Sequence, residues 1–141
     1  MGVNYNNVPV TSTSNNKSVH VKSVKLTSAD VTTGGANEVK AILKANSTIL
    51  GFLFYKKTQL SGGGITAATL SIGIPGSATS FVNAVDILTP GAGTSTWLTA
   101  AGTHQQHDPD NRTDISLLFT GTATTGNPTA GEFYVDIYFA E

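Results

Sequence analysis

Cysteine is missing from this chain, which excludes disulfides, thiolate metal sites and cysteine nucleophiles together. Charge is scarce as well. Lys, Arg, Asp and Glu make up 12% of the 141 residues, about half the ~25% usual for soluble domains. A net charge of −1 and a pI near 6.3 leave no cluster of Lys and Arg of the kind a nucleic-acid surface needs. Long hydrophobic runs are absent too. The longest strongly apolar stretch, from Ile49 to Tyr55, falls far short of the ~20 residues that span a bilayer. The opening MGVNYNNVPV lacks the basic start and apolar core of a signal peptide, and Asn6 stands where myristoylation needs Ser or Thr. The expectation is a protein made in a cytoplasm, with no nucleic-acid or membrane partner.

Thr, Ser, Asn and 15 glycines supply the polarity that charge does not. β-Branched Thr packs well on a pleat and Gly breaks helices, so this composition suits strands and turns. At 14.6 kDa the chain is long enough to close one core. The expected fold class is all-β, an antiparallel β-sandwich of seven or eight short strands with a jelly-roll-like topology. The domain organisation expected is a flexible or partner-ordered arm over residues 1–17 and one sandwich domain over 18–141. The arm carries almost no apolar periodicity and cannot offset its own ordering entropy, with Val8 and Val10 as its anchor candidates.

Period-two alternation marks the strands. Val19 and Val21 share one parity while Val24 and Leu26 share the other, which predicts a β-bulge or two short strands. Residues 38–45 fit either a strand or a helix. The short link Asn46-Ser47 favours a strand in a hairpin with the next one. Ile49 to Tyr55 is apolar on both parities, so it is expected to be central or to turn one face to another subunit. Lys56 and Lys57 are expected to close it. Ala68, Leu70 and Ile72 form the next inward set, and Gly73, Pro75 and Gly76 a corner. Phe81 and Val85 then suit one face of a short helical turn near 78–85, read as a plug over one open end of the sandwich. Ile115, Leu117 and Phe119 alternate with polar neighbours, and the last strand sets Phe133, Val135, Ile137 and Phe139 against Tyr134, Asp136 and Tyr138.

Three segments carry a resemblance: Asp30-Val31-Thr32-Thr33-Gly34-Gly35, LSIGIPGSATSFVNAVDI, and Thr129 through Tyr138. Across roughly residues 28–140 their pattern and order resemble small virion proteins of tailed bacteriophages, above all capsid decoration (cement) proteins. The resemblance implies a protein that binds and stabilises the capsid shell non-covalently, with the major capsid protein as partner and a homotrimer as the commonest assembly. It implies a place on the virion surface after synthesis in the host cytoplasm. A head-fibre or knob protein and a tail-associated protein are the alternatives within that class.

No catalytic constellation stands out, and no enzyme activity and no cofactor are expected. His104, His107, Asp108 and Asp110 are weak candidates for a divalent metal. The run Gln-Gln-His-Asp-Pro-Asp-Asn reads more readily as a solvated loop, because metal-site histidines sit on rigid elements with hydrogen-bonded support. Glu132 and Asp136 stand four residues apart on one strand, roughly 13 Å, beyond the ~6.5–9.5 Å of an inverting glycosidase pair. The candidates for oligomer or capsid contact are Val8, Val10, Phe52, Phe54, Tyr134 and Tyr138. Trp97, the only tryptophan, reads as core packing or an end-cap. A sugar platform, as in a carbohydrate-binding β-sandwich module, is the less favoured alternative, since no other aromatic lies near it in sequence.

Overall fold

The computed structural model describes residues 18–31, 33–34, 36–44, 47–98 and 113–141. Eight strands run in the order β1 (Val19–Thr27), β2 (Ala36–Leu43), β3 (Thr48–Ser61), β4 (Ile65–Ile74), β5 (Ser77–Asp86), β6 (Ser95–Leu98), β7 (Thr113–Ala123) and β8 (Ala130–Ala140). A 3-10 turn at Ser28–Asp30 is the one helical element among the described residues.

The strands form two four-stranded sheets, ordered β1-β8-β3-β6 and β2-β7-β4-β5. All the strand pairs are antiparallel. The pairs β1·β8, β2·β7, β3·β6 and β4·β5 are those of one long antiparallel ribbon folded on itself. Rolling that ribbon brings β3 against β8 and β4 against β7 and closes the two sheets. This is the jelly roll, so the expected all-β sandwich and its topology are both observed.

The core lies between the sheets. Leu26, Phe52, Phe54, Phe133, Val135 and Ile137 face it from one sheet, and Leu70, Ile72, Ile115, Leu117 and Phe119 from the other. Aromatic contacts tie the layers together: Phe119 meets Phe133 at 5.6 Å between ring centroids, and Phe52 meets Phe81 at 5.6 Å. Each such side chain contributes about 1.5–3 kcal/mol by leaving water, which suits a chain with neither disulfide nor described metal site to hold it.

Several expectations need correction. Residues 78–85 are not a helical turn and plug no open end; they lie in β5, an edge strand. The four-residue spacing of Phe81 and Val85 that suits a helix also suits a strand, and this strand carries a bulge. Leu70 pairs with Val85 but Ile72 with Val82, so two steps along β4 answer three along β5. Ala84 takes up the extra residue at φ +48°, and its amide donates to the Ser71 hydroxyl at 2.9 Å. The corner before it is a tight two-residue link, Pro75-Gly76, with Gly76 at φ +86°, where a glycine costs least.

β1, by contrast, has no bulge. Its register with β8 runs unbroken from Val19–Ala140 to Thr27–Glu132. The change of parity instead reflects two outward valines, Val19 and Val21, both exposed, followed by Val24 and Leu26 turned to the core. Residues 36–43 are a strand, but Asn46-Ser47 does not close a hairpin: β2 pairs with β7, and the chain crosses to the other sheet to begin β3. β3 continues past Lys56 and Lys57 to Ser61. Lys56 is fully buried, and its ammonium donates to the Leu88 carbonyl at 2.9 Å. Burial holds its pKa below the ordinary lysine value, with Asp86 acting in the opposite sense.

Candidate functional site

Because β3 and β8 are central strands, every second residue of each leaves the core and enters one outer face. Antiparallel register sets those residues in rows across the sheet. Val21, Tyr138 and Gly51 form one row. Ser23, Asp136, Leu53 and Trp97 form the next, and Lys25, Tyr134, Tyr55 and Ser95 a third. Glu132 closes the face at one end. Four aromatic side chains, brought together from three strands, thus share one outer face.

Trp97 is not in the core. It is 49% exposed, and its ring centroid lies 5.1 Å from that of Tyr138 at an interplanar angle of 56°. Its seat is Gly51. A Cβ there would come within 2.4 Å of Trp97 Cζ2, so only glycine leaves the indole room to lie against the sheet. Tyr55 and Tyr134 stack beside it, 6.4 Å apart at 28°.

Asp136 stands between Tyr134 and Tyr138 along β8. It is half-buried and has no hydrogen bond or ion pair among the described residues. Glu132 is its opposite. Tyr134 Oη donates to Glu132 Oε1 at 2.7 Å, Lys57 Nζ at 3.1 Å, and Lys25 Nζ lies 3.3 Å away. These bonds, the tyrosine's first, pull the Glu132 carboxyl down to about 2. The same bond raises the Tyr134 phenol above its ordinary value. A carboxylate saturated by donors is poorly suited to proton transfer near neutral pH. Asp136 has no donor among the described residues.

The sequence candidates separate accordingly. Tyr134 and Tyr138 lie on this outer face. Phe52 and Phe54 do not: at 0% and 1% exposure they belong to the core, which removes them as contact residues in the folded protomer. The apolar double parity of β3 has a simple cause. Phe52 and Phe54 fill the interior while Leu53 and Tyr55 cover the outer face. Val8, Val10, His104, His107, Asp108 and Asp110 fall outside the described residues. Among the described residues there is no group of three or more His, Asp or Glu side chains that suits a metal, and no helix long and apolar enough to cross a membrane. What sequence reading missed is the company Trp97 keeps, because pairing of β6 with β3 creates it. A glycine inside ILGFLFY was the available signal, since an interior strand glycine often marks a close approach.

No family model matches this chain, and no curated protein does. Solved structures do. A chain of the cyanophage Pam1 capsid asymmetric unit is similar to it at a TM-score of 0.55 and 17% identity, over 88% of this chain and 85% of that one. A chain of the capsid of Ralstonia phage GP4 is similar at 0.52 and 16% identity, over 86% and 84%. The likeness at these identities is one of fold. Both of those structures are phage capsids.

Proposed function

We propose that this protein is a structural component of a bacteriophage virion that decorates the capsid shell and stabilises it by non-covalent binding, with no chemical step. The observation that carries the reading is the jelly roll shared, over nearly the whole chain, with chains of two phage capsid structures. The charge-poor composition supports it, because contacts of shape, apolar area and hydrogen bonds persist at high salt. The partner is the major capsid protein. A decoration protein must touch more than one shell subunit, so that breaking the shell also breaks its own contacts. Many weak contacts at symmetric sites then add through avidity, and a homotrimer suits a three-fold position. Residues 1–17, with Val8 and Val10, are the segment proposed to fold onto the shell.

Purified protein mixed with undecorated capsids tests the reading. Co-sedimentation and a higher disruption temperature for the decorated particles are the expected results. Identical disruption temperatures with and without saturating protein would sink the stabilising role. Removal of residues 2–16 is expected to weaken co-sedimentation while the circular dichroism of the sandwich stays unchanged.

A further inference from the structure

The outer face of the β1-β8-β3-β6 sheet holds an exposed indole, three tyrosines and a carboxylate for which the described residues offer no partner. We propose that this face is a binding platform for a neutral oligosaccharide, with Trp97 and Tyr138 as the stacking surface and Asp136 as the hydroxyl acceptor. It extends beyond the capsid role and does not depend on it.

Three features carry the assignment. The first is shape. Gly51 lets Trp97 settle against the sheet beside Tyr138, a ring 5.1 Å away. Aromatic rings offer apolar area at the angles a sugar's C–H faces can meet, with a polar atom at the rim. The second is the unpaired acceptor. Asp136 is half-buried between the two tyrosines of β8 and paired in register with Leu53, next to Trp97. A carboxylate so placed accepts from donors brought to the face, and sugar hydroxyls lying over the rings can donate to it.

The third is size and sign. Tyr134 and Tyr138 are four residues apart, roughly 13 Å, and the four strands at ~4.8 Å spacing are about 14 Å across. That patch is about a quarter of the ~800 Å² each partner contributes to a standard protein interface, and it suits a short oligosaccharide. The lysines of the face, Lys25 and Lys57, are both engaged by Glu132 at its far end. Among the described residues no cation pairs with Asp136, which therefore repels acidic glycans, and the ligand is neutral. Tyr134 and Tyr138, expected from the sequence to contact subunits or the shell, serve here as ligand contacts.

Trp97 is the only tryptophan, so its emission reports on this site alone. The intact protein is titrated with cellohexaose, maltohexaose and chitohexaose, with an oligogalacturonate as the acidic control. A saturable change with at least one neutral sugar and none with the acidic one is expected. Asp136→Asn is expected to weaken that binding about tenfold, the order of a charge-assisted hydrogen bond, with the circular dichroism unchanged. Trp97→Ala and Tyr138→Ala are read by affinity electrophoresis through gels containing the matching polysaccharide, where both lose their retardation. No saturable change with any of the three neutral sugars overturns the proposal. So does a Trp97 shielded from acrylamide in a protein that light scattering shows to be oligomeric, because a second copy would then cover the face. Both readouts use the isolated protein, so they fail or succeed apart from capsid binding.

Discussion

In β8, Phe133, Val135 and Ile137 turn inward and are closed to solvent, while Tyr134, Asp136 and Tyr138, each one residue further on, turn outward and are half-buried. β3 does the same with Phe52 and Phe54 on one side and Leu53 and Tyr55 on the other. Two faces of one sheet are thus built from the same strands by alternate residues. The inner one is aliphatic and phenylalanine-rich, packed against a second sheet. The outer one is tyrosine-rich, with hydroxyls at the ring edges and a carboxylate among them. Phenylalanine suits a site where no polar atom finds a partner, and tyrosine a site that is apolar at one end and wet at the other. Core packing and the make-up of the outer surface are therefore separable at single-residue resolution.

The sharpest way to break that separation is to cut one neighbour from each face. Phe54→Ala opens a cavity between the sheets, next to Phe133 at 5.7 Å between ring centroids. It is expected to lower the unfolding free energy by about 3–5 kcal/mol. Tyr55→Ala, one residue along, loses a cross-strand pair with Tyr134 and is expected to cost about 1 kcal/mol or less. Urea denaturation of both variants decides the matter. Equal losses would mean that the outer face is as much a structural core as the inner one.

Gly51→Ala sharpens the comparison from the other side. Its new methyl would meet the Trp97 ring at 2.4 Å, so the indole has to leave its seat. The backbone itself does not object, since Gly51 is not among the positive-φ glycines. A loss of about 1–3 kcal/mol, the range of overpacking, should accompany a red shift of tryptophan emission as Trp97 moves into water. An unshifted spectrum would show that the seat is not what holds the ring.

How far this was legible in the sequence differs between the two faces. Inward residues obey a period of two, and Leu70, Ile72, Ile115, Leu117, Phe119, Phe133, Val135 and Ile137 announce themselves by it. The fold class followed from that period and from the spacing of glycine-rich turns. The outer face was legible as residues but not as a surface. Trp97 meets Leu53 through the β3·β6 register and Tyr138 across a further strand, and no local pattern encodes such pairings. Lys56 misled because its charge looked like the end of a strand, whereas its ammonium finds the Leu88 carbonyl just past the end of β5. At 78–85 the four-residue step from Phe81 to Val85 fits a helix face and a strand face alike, and the bulge hid the alternation that separates them.

The smallest expected effect lies at the far end of the outer face, where Glu132 gathers Tyr134, Lys57 and Lys25. Both lysines are more than half exposed, so solvent and salt weaken the ion pairs. The tyrosine bond is the leading cause of the low carboxyl pKa. A carboxyl at about 2 when folded and near ~4.3 when unfolded stabilises the fold fully above the unfolded value. That contribution fades as pH falls through the folded one. Glu132→Gln should therefore cost a little stability at neutral pH and leave a flatter acid limb, the two proteins converging as pH falls through the folded value. The phenol supplies the matching alkaline readout. Its pKa is raised chiefly by the bond to Glu132, so its share of stability is present below the ordinary tyrosine value and is lost as pH rises through the folded one. In the Gln variant Tyr134 should ionise at lower pH than in the parent, visible as an earlier rise in tyrosinate absorbance. If the acid limb and the tyrosinate curve of the variant both overlay those of the parent, the Glu132 network is an arrangement of side chains without energetic consequence, and the outer face owes its order to the aromatic row alone.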